Sequence, residues 1–124
     1  MNLTELFRFE TDLLEIPAGK SVFKKGDPGD KMYVLMKGDA VVMVGHVIVE
    51  RVQPGALLGE LALIDNSPRT AAVLAVTDCS FLPIDVRRFR FLVEQTPNFA
   101  LHVMKVMADR LRKMDTRLLE AQEV

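Results

Sequence analysis

Gly59-Glu60-Leu61-Ala62-Leu63-Ile64-Asp65-Asn66-Ser67-Pro68-Arg69-Thr70-Ala71-Ala72 is the one stretch that matches neither the residues before it nor those after it. Around it, Leu57 to Ile64 is dense in Leu and Ala and broken at Gly59-Glu60, which suits a single helical turn better than a strand. Upstream, short apolar runs alternate with glycine-bearing turns. Leu13 to Ile16 leads into Pro17-Ala18-Gly19-Lys20, Ser21 to Phe23 into Lys25-Gly26-Asp27-Pro28-Gly29-Asp30, and Met32 to Met36 into Gly38-Asp39. Val41 to Val44 and Val47 to Val52 flank Gly45-His46, the pattern of a tight hairpin. Downstream, Arg69 to Val76 and Ser80 to Ile84 supply two more strands. Many short strands at even turn spacing, with no long helices between them, predict a mainly β fold with helices. The expected form is an antiparallel jelly-roll barrel of the cupin-like double-stranded β-helix kind.

From Asp85 the period changes from strand to helix. Asp85 is placed to cap a short helix with Phe89, Leu92 and Val93 on one face. Thr96-Pro97 then opens a longer one, with Thr96 as cap and Pro97 in the first turn, where a missing N–H costs nothing. A further short helix is expected around Leu3 to Phe9. The chain reads as one domain over 1–124, with a β body over 1–84 that includes the stretch 59–72, and C-terminal helices over 85–124. Its 124 residues suit one modest core, and 49% of them are hydrophobic. The net charge of −1 offers no bulk attraction to nucleic acid or anionic lipid. The single cysteine, Cys79, excludes an internal disulfide, and its apolar surroundings make it a buried thiol. No run approaches the roughly 20 apolar residues of a membrane helix, and the opening Met1-Asn2-Leu3-Thr4-Glu5 lacks the features of a secretory signal, so no membrane contact and a cytoplasmic location are expected.

Residues 59–72 also carry chemistry. A helix starting near Glu60 presents unpaired N–H groups and a positive dipole end, and Ala62, Ala71 and Ala72 let a ligand approach the backbone. Arg69 offers an always-charged fork for two phosphate oxygens. Glu60 would repel an anion, but it suits a sugar hydroxyl beside one. An anion next to a diol describes a nucleotide. The plain alternative is that Glu60 and Arg69 pair with each other across a turn.

Gly-Glu-Leu-Ala followed at this spacing by Pro-Arg-Thr-Ala, behind the turn glycines Gly26, Gly38 and Gly59, closely resembles the phosphate-binding cassette of cyclic-nucleotide-binding domains. That family is found in cAMP-dependent kinase regulatory subunits, cyclic-nucleotide-gated channels and bacterial catabolite activator proteins. The resemblance covers roughly Leu13 to Leu118. It implies that Glu60 binds the ribose 2′-hydroxyl and Arg69 the exocyclic phosphate oxygens. Gly59 and the backbone of Leu61, Ala62, Thr70 and Ala71 would complete the cradle. The implied ligand is cAMP, with cGMP as the alternative because Thr70 follows the arginine. In the catabolite activator branch the long helix also contacts the base. The nearest residues here are Met114, Asp115 and Thr116, and Met114 departs from that pattern.

Met104, Met107, Leu111, Met114, Leu118 and Ala121 recur three and four apart, a heptad seam that predicts a parallel homodimer. Arg110 and Asp115 flank the seam, where they could pair between chains, and Phe99, Val103 and Val106 are expected to face the β body. The expectation is a sensor that signals through its C-terminal helices to an unidentified protein partner, without catalysis, cofactor, metal or direct nucleic-acid contact. Two alternatives stand beside it. One is a degenerate domain that kept the cassette and serves as a dimeric interaction module. The other is the sensor fragment of a longer transcription regulator. A metal-dependent enzyme on a similar barrel would need clustered histidines, whereas His46 and His102 are isolated.

Overall fold

A computed structural model describes residues 1–123. Helix α1 (Leu3–Leu6) precedes five strands: β1 (Leu14–Ile16), β2 (Ser21–Phe23), β3 (Lys31–Lys37), β4 (Ala40–Val44) and β5 (Val47–Val52). There follow β6 (Leu57–Leu58), helix α2 (Glu60–Asp65), β7 (Ala72–Ala75), β8 (Cys79–Asp85), α3 (Val86–Gln95) and α4 (Asn98–Glu123). The strands form two four-stranded sheets, ordered β1-β8-β3-β6 and β2-β7-β4-β5, and every pairing is antiparallel. This is the double-sheet jelly-roll arrangement. The sheets do not join edge to edge, so the expected barrel is corrected to an open roll. Strand counting carries no information about closure.

Local chemistry accounts for the elements. The Gly45-His46 turn joins β4 to β5, with Val44 opposite Val47. Asp85 caps α3 as expected, its Oδ1 accepting the Arg88 N–H at 2.8 Å. The first carbonyls before α4 are satisfied by its opening turn, Thr96 accepting from Phe99 and Pro97 from Ala100. The stretch from Leu57 to Ile64 divides: Leu57 and Leu58 pair with Val34 and Tyr33 as a short strand, and the helix begins at Glu60. The later strand is shorter than the run Arg69 to Val76 implies, because its first residues belong to the loop that carries Arg69.

The core lies in two clusters. One holds Leu3, Phe7, Met32, Val34, Leu57, Leu82, Ile84, Phe99 and Val103, so it joins both ends of the chain to the first sheet. Phe99 is fully buried and meets Phe7 and Phe89 edge-on at 6.1 and 6.0 Å between centroids. The expected inward face of α4 is therefore present: Phe99 and Val103 are buried and Val106 packs against them. Burial of these rings is worth roughly 2 kcal/mol or more each, which fixes the root of α4 on the body. The second cluster centres on Leu35, Leu58, Val73, Cys79 and Phe81 between the sheets.

Gly38 shows what the turns require. Its φ is +92°, and a Cβ there would collide with the Asp78 carbonyl and lie 2.8 Å from the Cys79 Sγ. Gly38→Ala is expected to cost about 2 kcal/mol, a melting temperature lower by on the order of 8 °C. Thermal denaturation checks this, and an unchanged midpoint would contradict the packing.

Candidate functional site

The segment from Gly59 to Ala72 folds as a helical turn and a tight loop because its two ends are set by left-handed residues. Gly59 (φ +73°) starts α2, and Asn66 (φ +59°) ends it, its N–H returning to Ala62 O at 3.0 Å. Ser67 then closes the loop on Asp65: its N–H and hydroxyl reach Oδ1 at 3.0 and 2.6 Å, and those bonds hold the Asp65 carboxyl below its ordinary pKa. The backbone of Arg69 is clamped to the preceding turn, its N–H donating to Asp27 O at 2.9 Å and its carbonyl accepting from Gly26 N at 2.8 Å.

These constraints deliver the Arg69 side chain to the interior. The residue is only 7% exposed. One Nη donates to Gly59 O at 3.1 Å and the other to Lys31 O at 2.6 Å, while Nε is buried with no partner among the described residues. A guanidinium has five N–H donors, so others beyond these two bonds remain for a ligand. Burial pulls the Arg69 pKa down from its ordinary value, against the attraction of Tyr33, Asp30, Asp27 and Glu60. Gly59 makes room for this side chain, since a Cβ there would run into Arg69 Nη1.

Glu60 is also buried, at 5% exposure, and its partner is not Arg69. Arg110 of α4 reaches across fifty positions of sequence. Its Nη1 lies 2.6 Å from Glu60 Oε1, its Nε 3.1 Å from Glu50 Oε2, and its Nη2 2.6 Å from Leu57 O. Burial lowers the Arg110 pKa, but the attraction of Glu60 and Glu50 outweighs it and the net shift is upward. The plain alternative of a Glu60–Arg69 pair is absent, since Glu60 pairs with Arg110. One expectation is corrected: Arg110, placed on the flank of an interchain seam, pairs within its own chain because it faces the cassette. Asp115 is exposed, and the structure gives it no partner among the described residues.

All seven candidate residues, Gly59, Glu60, Leu61, Ala62, Arg69, Thr70 and Ala71, line one cavity of about 360 Å³. Its apolar lining comes from Val42, Val44 and Val49 of the β4–β5 hairpin and, from α4, Met107, Leu111 and Met114. That size lies within the range of small-molecule sites. Phe23, Glu50, Arg110, Lys113 and Arg117 also line it and were not singled out as site residues from sequence. Arg117 donates to Val49 O, tying the end of α4 to the hairpin. Glycine and charge spacing inside residues 59–72 marks the cassette, but nothing local marks a contact made from β2 or α4.

Residues 13–96, which include this buried arginine and buried glutamate, match the model of the cyclic nucleotide-binding domain. The chain belongs to the cyclic nucleotide-binding domain family. The domain is similar to the CRP-like cAMP-activated global transcriptional regulator of Mycobacterium tuberculosis, with 26% identity over 114 residues, 86% of this chain and 50% of the regulator. The chain thus spans half the length of that relative. Among solved structures, the Thermus thermophilus catabolite activator protein superposes with a TM-score of 0.79 at 26% identity, covering 94% of this chain and 62% of that one. A second structure, from work on a cyclic-GMP-dependent signalling pathway that regulates bacterial phytopathogenesis, gives 0.74 at 27% identity and covers 89% and 90%. Cys79 in the domain is buried and bonded to backbone carbonyls, and burial pushes its thiol pKa up. No helix among the described residues is long and apolar enough to cross a membrane.

Proposed function

We propose that the domain binds a cyclic nucleotide and reports its presence through α4. The observation that carries this is that Arg69, whose buried Nε has no partner among the described residues, and the equally buried Glu60 line one cavity. An unsatisfied buried donor costs about 1–3 kcal/mol, which an entering phosphate oxygen would return. In this reading Arg69 holds the phosphate and Glu60 accepts from the ribose 2′-hydroxyl. Gly59 and the backbone of Leu61, Ala62, Thr70 and Ala71 close around the anion. The ligand is cAMP, with cGMP the alternative that Thr70 keeps open. The similarity to a cAMP-activated regulator supports the first and the similarity to a structure from a cyclic-GMP pathway the second.

Arg110 supplies the link to output. It joins α4 to Glu60, so a ribose that engages Glu60 changes what holds the helix. The ligand shifts α4 only to the extent that it binds the two arrangements differently. Glu60 gives the reading a direct check: 2′-deoxy-cAMP is expected to bind about tenfold or more weakly than cAMP, since a hydrogen bond to a charged group is worth about 1.5–3 kcal/mol. Equal affinity in a calorimetric titration would remove Glu60 from the ribose.

The homodimer belongs to the same proposal. Met104, Leu111, Met114 and Leu118 are each more than half exposed along α4, while Met107 packs against the core cluster instead of completing the seam. A second copy covering this stripe would bury it. Leu118→Glu is expected to yield a monomer where the parent sediments as a dimer, and identical sedimentation would argue against the seam. We further propose that these 124 residues act in the cytoplasm without catalysis, cofactor or metal, and without touching nucleic acid or membrane themselves. The similarity to a transcriptional regulator twice as long leaves DNA contact to whatever such a protein carries elsewhere.

A further inference from the structure

We propose that Phe23 is the positioning residue for Arg69, holding its guanidinium in place before any ligand arrives. The proposal rests on Arg69 as the phosphate-binding group. No carboxylate lies within ion-pair distance of this buried cation among the described residues; Asp27, Asp30 and Glu60 act on it only from farther away. Two carbonyls hold the guanidinium by its Nη edges, in-plane bonds that leave its faces to be covered by packing. Phe23 supplies that packing. The Arg69 Cζ sits 4.1 Å over the centre of the Phe23 ring, and Tyr33 stands 5.8 Å away. A ring face attracts a desolvated cation and fixes the plane of a stacked guanidinium.

Phe23 is itself anchored. Its ring lies 6.0 Å from Tyr33, and Tyr33 meets the fully buried Phe81 edge-on at 6.4 Å. The turn after β2 is bonded to the Arg69 peptide on both sides, through Gly26 and Asp27, so ring and guanidinium are carried by segments that move together. Phe23 also lines the cavity, so its ring borders the space where the phosphate would sit. Leucine at this position would preserve apolar filling but offer no π-face.

The test compares wild type with Phe23→Leu and Phe23→Tyr. In the ligand-free proteins, the Arg69 Nε–Hε resonance reports the order of the guanidinium. Wild type and F23Y are expected to show a sharp, slowly exchanging signal, and F23L one that exchanges at least about tenfold faster. In titrations with cAMP and cGMP, F23L is expected to lose about tenfold in affinity and F23Y to stay within about twofold. Urea denaturation midpoints identify any variant that is simply unfolded, and F23Y retains the comparison if F23L is. Unchanged Hε exchange in folded F23L overturns the proposal, as does an F23Y that loses as much affinity as F23L. If wild type itself binds neither nucleotide, the binding reading fails, and the ligand-free exchange measurement decides the role of Phe23 alone.

Discussion

Arg69→Lys is expected to lower affinity for the cyclic nucleotide about a hundredfold or more, while leaving the domain folded. Lysine keeps the charge but replaces a planar fork with a single point donor. In this site that difference is large. The guanidinium spans two carbonyls, Gly59 O and Lys31 O, and has further N–H donors in the same plane. An ammonium that bonds one of those carbonyls has no second fixed donor for the phosphate, and it stacks less well on Phe23. Truncating one partner of a buried charged pair costs about 2–5 kcal/mol, so a hundredfold loss, about 2.7 kcal/mol, sits at the lower end. Calorimetry on both proteins, with circular dichroism to confirm the fold, measures it. Equal affinity would assign the phosphate to other groups.

The second large effect is on stability. Arg110→Met is expected to destabilise the domain by about 3 kcal/mol, a fall in melting temperature on the order of 12 °C. The loss does not come from the arginine itself, which is about a quarter exposed. It comes from Glu60, whose side chain is 6% exposed and would be left charged in a cavity wall with no cation against it. The double variant is therefore the sharper test. Arg110→Met with Glu60→Gln removes the stranded charge and should recover more than half of the loss. If Arg110→Met melts like wild type, α4 is not held through this contact, and the proposed route from ligand to helix loses its structural basis.

Much of this was legible in the chain, for reasons that differ by region. The hairpin turn at Gly45-His46, the Asp85 cap and the inward face of Phe99, Val103 and Val106 follow from rules that act within a few residues, and each stands where expected. That the seven cassette residues share one cavity was equally legible, because the segment folds on itself and sequence spacing there is close to spatial spacing. Arg110 was not. Its heptad position described a seam between chains, whereas its side chain answers to two carboxylates from Glu50 and Glu60, sixty and fifty positions away. Phe23 was hidden for the same reason: one aromatic in a three-residue strand carries no sign that an arginine forty-six positions later, in the loop leading into the neighbouring strand, will stack on it. Closure of the barrel depends on whether edge strands meet, which strand pattern leaves open.

Direct titration of the wild-type domain with cAMP and with cGMP, beside 5′-AMP as a non-cyclic control, tests the central claim. Saturable binding of at least one cyclic nucleotide at one site per chain is expected, with much weaker binding of 5′-AMP. An absence of saturable binding for both cyclic nucleotides would contradict it.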